Sequence, residues 1–182
     1  MKKKSTFLYV LRLALTLLVI TGVMAAALAL VNRITAPVIA QSKEAKTQNA
    51  INAVLPGGGE AVAFTDETGL VANVYASDKG YAVQVTPSGF NGPMEMMVGV
   101  GKDGKVLGIS IISHTETAGL GAVVAADSTA GQSFRDQFMG MEGQLSVSKD
   151  GGQVDAITGA TVTSRAVCEG VNAALACVAK LG

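Results

Sequence analysis

The chain has no tryptophan, one histidine, two cysteines and four prolines in 182 residues, and aromatics make up only 4%. Each scarcity removes a class of function. Two cysteines and a single histidine give no metal-ligand spacing, so no metal site is expected. Cys168 and Cys177 lie nine positions apart in what reads as one helix. At about 100° per residue they point to opposite sides and cannot bridge each other. They read as small buried apolar residues. Net charge is formally zero, but its distribution is uneven. Lys2, Lys3, Lys4 and Arg12 precede any acid, and from Arg33 onward 10 basic residues face 14 acidic ones, a balance of −4. A domain of that balance lacks the basic patch that nucleic acid requires, so no nucleic-acid partner is expected.

Charge is absent altogether from residues 13–31, nineteen positions bracketed by Arg12 and Arg33. At about 1.5 Å per residue they reach about 28 Å, close to the hydrocarbon thickness of a bilayer. The run predicts a retained transmembrane helix. The competing reading is a signal peptide cut near Ala25-Ala26-Ala27, whose apolar region would be shorter, about 7–15 residues. The Lys2–Lys4 cluster favours a cytoplasmic N-terminus, with residues 34–182 on the extracytoplasmic side.

Thr35-Ala36-Pro37 looks like a helix restart with Pro in the first turn. Weak amphipathic spacing continues to Leu55, and Pro56-Gly57-Gly58-Gly59 ends it. Residues 34–59 therefore read as a membrane-proximal helix and linker. The glycine run lacks the Gly-Lys-Ser/Thr ending of a phosphate loop and reads as a turn. From Ala61 the period becomes two. Residues 61–64, 70–75, 81–86, 94–101 and 106–113 read as strands, the last two joined by Lys102-Asp103-Gly104-Lys105. Asp-Gly between apolar runs is a hairpin signal. Met94, Met96 and Met97 read as sheet packing. Residues 133–139 read as a short helix, 145–149 as a strand and 150–152 as a turn. From Thr163 onward Ala166, Val167, Gly170, Val171, Ala174, Leu175 and Val178 recur at helical spacing, which predicts a final helix laid on the sheet. The class is α+β: an anchor at 1–33, the proximal segment at 34–59, and a domain at 60–182 with a mainly antiparallel sheet and a C-terminal packing helix.

Two strings stand out. One is Asp155-Ala156-Ile157-Thr158-Gly159-Ala160-Thr161-Val162-Thr163-Ser164. Its small residues allow close approach of a ligand to the backbone. The helix that follows turns free N–H groups toward this corner, which suits a phosphate. Read without a family, it is first of all a Thr/Ser-rich cap that starts a helix. The other string is His114-Thr115-Glu116-Thr117-Ala118-Gly119-Leu120-Gly121, which holds the only histidine.

Asp-x-x-Thr-Gly-Ala-Thr-x-Thr-Ser resembles the flavinylation motif of covalent FMN-binding domains. In that family the last Thr of the Thr-Gly-Ala-Thr core carries FMN as a phosphoester, and the matching residue is Thr161. Asp155, Thr158, Gly159 and Ala160 then form the recognition string, with Thr163 beside it. A threonine hydroxyl is a poor nucleophile alone, so the resemblance implies a separate flavin transferase as a maturation partner. The His114 string is similar to the family's His-x-Glu-Thr-Pro-Gly-Leu-Gly loop, which lies against the isoalloxazine ring. By that resemblance Glu116 and Thr117 supply polar contacts, Leu120 packs on the ring, and Gly119 and Gly121 allow close approach. Ala118 stands where the family usually has Pro, so the loop is less stiff. Lys149 is read either as a cation beside the flavin that stabilises a reduced ring or as a solvated surface lysine.

Anchor, domain and both motifs together resemble the RnfG family, the FMN-carrying subunits of Rnf complexes, which are ion-translocating ferredoxin:NAD oxidoreductases. The corresponding FMN-carrying C-type component of the sodium-translocating NADH:quinone oxidoreductase is a usually longer relative, and a lone extracytoplasmic flavoprotein is a third reading. A membrane-anchored assembly or binding module without flavin is the non-redox alternative. The resemblance implies an electron relay through covalent FMN, with other membrane subunits as partners. No residue is assigned acid–base chemistry, because the cofactor carries the reaction.

Overall fold

The structure is a computed structural model and describes residues 2–64 and 69–181; the side chains of residues 2–6, among them the lysines behind the predicted orientation, lie outside the described set. Its contacts divide the chain into two compact units, Met1–Ala45 and Lys46–Gly182. Helix α1 runs over Lys2–Val54. The segment Phe7–Val54 is long and apolar enough to cross a membrane. Its leucines, valines and isoleucines up to Ile39 are exposed, an arrangement suited to lipid and not to water.

The restart expected at Pro37 is not there, because Pro37 lies inside the helix. Proline removes one backbone donor. A break would leave about four N–H and four C=O groups without intrahelical partners, which is the larger loss.

Among the described residues five strands follow: β1 Glu60–Val62, β2 Val71–Ser77, β3 Gly80–Val85, β4 Glu95–Gly101 and β5 Val106–Ser113. They pair antiparallel in sequence order. The β4–β5 turn forms where Asp-Gly predicts it, with Gly104 at φ +77°. Side chains alternate across the pleat. Val83, Val85, Met96, Val98 and Val100 face one core, which also holds Phe134, Phe138, Val167 and Val171. Ala82, Met97 and Ile112 face the other, closed by Ala50, Ile51, Val54 and Leu55 from the end of α1 and the residue after it. Gly99 makes that approach possible, since a Cβ there would sit 2.9 Å from Val54 Cβ. The methionines of β4 are fully buried sheet packing, as their pattern predicts.

Helix α2 spans Thr129–Asp136, a turn earlier than expected, because Ser128 caps it and accepts the Gly131 N–H. Helix α3 spans Thr161–Leu181. It packs tightly on the sheet at Gly170, where a Cβ would meet Met96 Sδ at 2.9 Å and Val85 Cγ2 at 3.1 Å. Cys168 and Cys177 are both free and buried. Burial, with Asp150 nearby, pushes the Cys168 thiol up to about 11.

The strand expected at 145–149 is replaced by a single parallel bridge, Val147 to Val154, and a 3-10 turn over Ser148–Asp150. The reason lies in α3. Asn172 donates to the Leu145 carbonyl and accepts the Leu145 N–H, both at 2.8 Å. A side-chain amide takes the place of a neighbouring strand.

Candidate functional site

The two strings close on each other through turns of one kind. In the first, the Leu120 N–H donates to the Thr117 carbonyl at 3.2 Å, and Gly119 sits at φ +76°. In the second, the Ala160 N–H donates to the Ile157 carbonyl at 2.9 Å, and Gly159 sits at φ +78°. Each glycine takes the third turn position, which requires positive φ in a type II turn. Ala118 occupies the second position, where proline is common for the same turn. The turns touch: a Cβ on Gly159 would lie 3.0 Å from Leu120 Cδ2.

Glu116 is buried and joins three segments. Its Oε1 accepts the N–H groups of Phe90 at 2.7 Å and Asn91 at 3.3 Å, and its Oε2 accepts the Thr163 hydroxyl at 2.7 Å. Asn91 Nδ2 donates to Thr117 Oγ1 at 3.0 Å. Gly89 and Gly121 leave room for this carboxylate, which a Cβ at either position would strike. The 86–94 loop, the 114–121 loop and the start of α3 are thereby fixed to one another.

These segments enclose a cleft of about 330 Å³, lined by Phe90, Glu116, Thr117, Leu120, Gly121, Lys149, Gly159, Ala160, Thr161, Val162 and Thr163. Nine of the residues singled out in the sequence meet here. Four do not line it. Asp155 and Thr158 are exposed, and Asp155 exchanges backbone hydrogen bonds with the Gln137 side chain. Gly119 serves the turn, and His114 Nδ1 accepts the Glu116 N–H at 3.2 Å. A larger cleft of about 720 Å³ near Tyr81, Lys102, Asn172 and Leu175 holds no residue of either string.

The hydroxyls at the start of α3 differ in their freedom. Thr163 is 1% exposed and donates to Glu116. Ser164 is 0% exposed, donates to the Ala160 carbonyl and accepts the Ile157 N–H. Thr161 is half-buried, faces the cleft, and accepts a hydrogen bond from Lys149 Nζ at 3.1 Å. Arg165 Nε and Nη2 each donate to an Asp150 carboxylate oxygen at 2.6 Å, tying the turn that carries Lys149 to the first turns of α3. That pair holds the Asp150 carboxyl below its usual value.

Phe90 and Val162 were missed in the sequence. Both are exposed apolar residues, at 67% and 45%. The one signal for Phe90 was an aromatic inside a Pro/Gly loop, Pro87 to Pro93, in a chain that has few aromatics.

A family model for FMN-binding domains matches residues 89–176, and one for the RnfG N-terminal region matches residues 1–54. The chain is 40% identical over 164 residues to the G component of the proton-translocating ferredoxin:NAD(+) oxidoreductase complex of Clostridium ljungdahlii, covering 86% of this chain and 83% of that one. It is 36% identical over 186 aligned positions to the Na(+)-translocating counterpart of Acetobacterium woodii, covering 90% and 88%. This chain belongs to the RnfG family. The FMN-binding match begins at Gly89 and ends within α3, so it takes in every residue that lines the 330 Å³ cleft. In this RnfG chain the cleft combines the accessible hydroxyls of Thr161 and Thr117, one ammonium and an apolar rim.

Proposed function

We propose that this protein carries FMN as a phosphoester of the Thr161 hydroxyl and relays electrons within an ion-translocating ferredoxin:NAD oxidoreductase of the Rnf type. The observation that carries the attachment site is the contrast among hydroxyls: Thr163 and Ser164 are buried and committed, whereas Thr161 opens on the cleft. The cleft suits the cofactor in both halves. At the Thr161 end, Lys149 and the first N–H groups of α3 favour a phosphate. Around it Phe90, Leu120 and Val162 expose apolar surface, at 67%, 44% and 45%, to a planar ring system. The volume falls within the range of about 300–1,000 Å³ usual for cofactor pockets.

Bound FMN supplies electron transfer; the chain supplies attachment, orientation and electrostatics. Glu116 holds the two loops and α3 in register, so the rim keeps its shape. The turn glycines let Leu120 and Ala160 close on the ligand without a side chain between them. A separate flavin transferase is the maturation partner, since no base among the described residues faces Thr161 Oγ in its hydrogen bond, only the Lys149 ammonium. Residues 13–31 span the cytoplasmic membrane, with the N-terminus inside and the FMN domain outside, where it meets the other membrane subunits. The exposed apolar helix and the Lys2–Lys4 cluster support this orientation.

Mass spectrometry of the peptide 155–165 should show added FMN less water. Thr161→Ala should remove the fluorescent band from denaturing gels while the protein still inserts in the membrane. A fluorescent Thr161→Ala protein would place the ester elsewhere. Protease added to spheroplasts should digest the domain; its protection would reverse the orientation.

A further inference from the structure

We propose that Lys149 is a positioning residue for the attachment step, fixing the Thr161 hydroxyl for attack and then holding the phosphate of the ester it forms. The inference rests on the reading of Thr161 as the attachment site. Three observations carry it. Lys149 Nζ donates to Thr161 Oγ1 at 3.1 Å, inside the cleft. The turn that presents Lys149 is tied to α3 by the two-pronged Asp150–Arg165 pair. Its backbone is closed by Asp150 N–H to Val147 carbonyl at 2.8 Å and Gly152 N–H to Val147 carbonyl at 3.0 Å.

The chemistry follows from the donor. An ammonium has protons to give and no lone pair, so Lys149 occupies one lone pair of Thr161 Oγ and cannot remove its proton. The hydroxyl proton is thereby turned away from Lys149, toward the open cleft and the incoming transferase. The phosphoryl donor is a flavin dinucleotide, whose pyrophosphate bond is the activated one. Thr161 Oγ forms a bond to the flavin-side phosphorus, and the bridging P–O bond breaks. The nucleotide monophosphate leaves with the electron pair, and a base of the transferase takes the hydroxyl proton. No electron is gained or lost overall. The product is a phosphodiester with one negative charge, formed where the ammonium already lies. The same cation that orders the hydroxyl therefore faces the charge that develops on phosphoryl transfer.

The test uses the full chain in membranes, its flavin transferase and flavin adenine dinucleotide, with covalent flavin read by in-gel fluorescence over time. Lys149→Gln should slow attachment at least tenfold, and Lys149→Arg, which keeps the charge, should recover most of the rate. Both variants should melt with wild-type protein, because the side chain is exposed. Wild-type kinetics in Lys149→Gln would overturn the inference, and so would equal slowing in Lys149→Gln and Lys149→Arg. Thr161→Ala run alongside separates the two claims: flavin on that variant defeats the attachment site itself, whereas a dark Thr161→Ala beside a fully active Lys149→Gln defeats only the role of Lys149.

Discussion

The two turns that face each other across the cleft have the same backbone and opposite supports. Thr117 to Leu120 hangs from Glu116, a buried carboxylate that collects donors from two other segments. Ile157 to Ala160 is held from behind by the Ser164 hydroxyl, and the residue that follows it, Thr161, is left half-open. In the first string the most polar residue is architecture. In the second the hydroxyls of Thr163 and Ser164 are hidden, and Thr161 is the one of the three at the start of α3 that opens on the cleft. Two motifs that look alike in composition thus differ in which of their polar groups the fold uses up.

Substitutions at the two turns should separate these roles. The largest stability loss is expected at Glu116→Ala. It strands the Phe90 and Asn91 N–H groups and the Thr163 hydroxyl, at a cost of about 3 kcal/mol. Urea denaturation should record it, and the fraction that folds should still accept flavin at Thr161. A loss below about 1 kcal/mol would mean that Glu116 is not the bracket described. Next come the turn glycines. Gly119→Ala and Gly159→Ala each force a side chain to positive φ, worth about 1–2 kcal/mol. Only Gly159→Ala also crowds Leu120, so it should be the worse of the two by thermal melting. Equal losses would show that the turns do not press on each other.

Leu120→Ala should leave the stability almost unchanged, because the side chain is partly exposed, while shifting the flavin absorption spectrum or midpoint potential. With the ester at Thr161 as proposed, attachment should persist; an unaltered spectrum and potential would remove Leu120 from the ring. The smallest effect is expected at Arg165→Gln. The Asp150 carboxyl is lowered by its hydrogen bonds to Arg165, so the pair stabilises the fold above the carboxyl's ordinary value of 3.8 and is lost as pH falls below it. The variant should melt slightly lower than wild type at pH 6, and the gap should close in acid. A gap that persists in acid would show that the pair contributes through packing instead.

The sheet was legible because its signals are local. Alternation placed every strand to within a few residues, and Asp103-Gly104 placed the β4–β5 turn. The two strings held eight of the singled-out cleft residues, and Lys149, outside both, is the ninth. What the sequence hid depends on distant partners. Leu145 looks like a strand residue because it is extended and paired, but its partner is the Asn172 side chain 27 positions away. Pro37 looks like a boundary because local rules end helices there, whereas the cost of ending a helix is set by both long flanks. Phe90 carries no pattern of its own, and its place on the rim follows from Glu116 gripping its backbone N–H, again from afar.

The approach of Val54 to Gly99 bears on how a membrane-free carrier could be made. Trimming a membrane protein to its soluble part invites a cut at the Pro56–Gly59 linker, where the sequence looks dispensable. That cut would strip Ile51 and Leu55, both fully buried, from the second core and leave Ala82, Met97 and Ile112 facing water. Each large side chain contributes about 1.5–3 kcal/mol there, so the shortened domain would be aggregation-prone and fold poorly. The usable breakpoint lies further upstream, near Lys46, where the packing of the second unit begins. A fragment started there takes the end of the membrane helix with it as an ordinary piece of a water-soluble core.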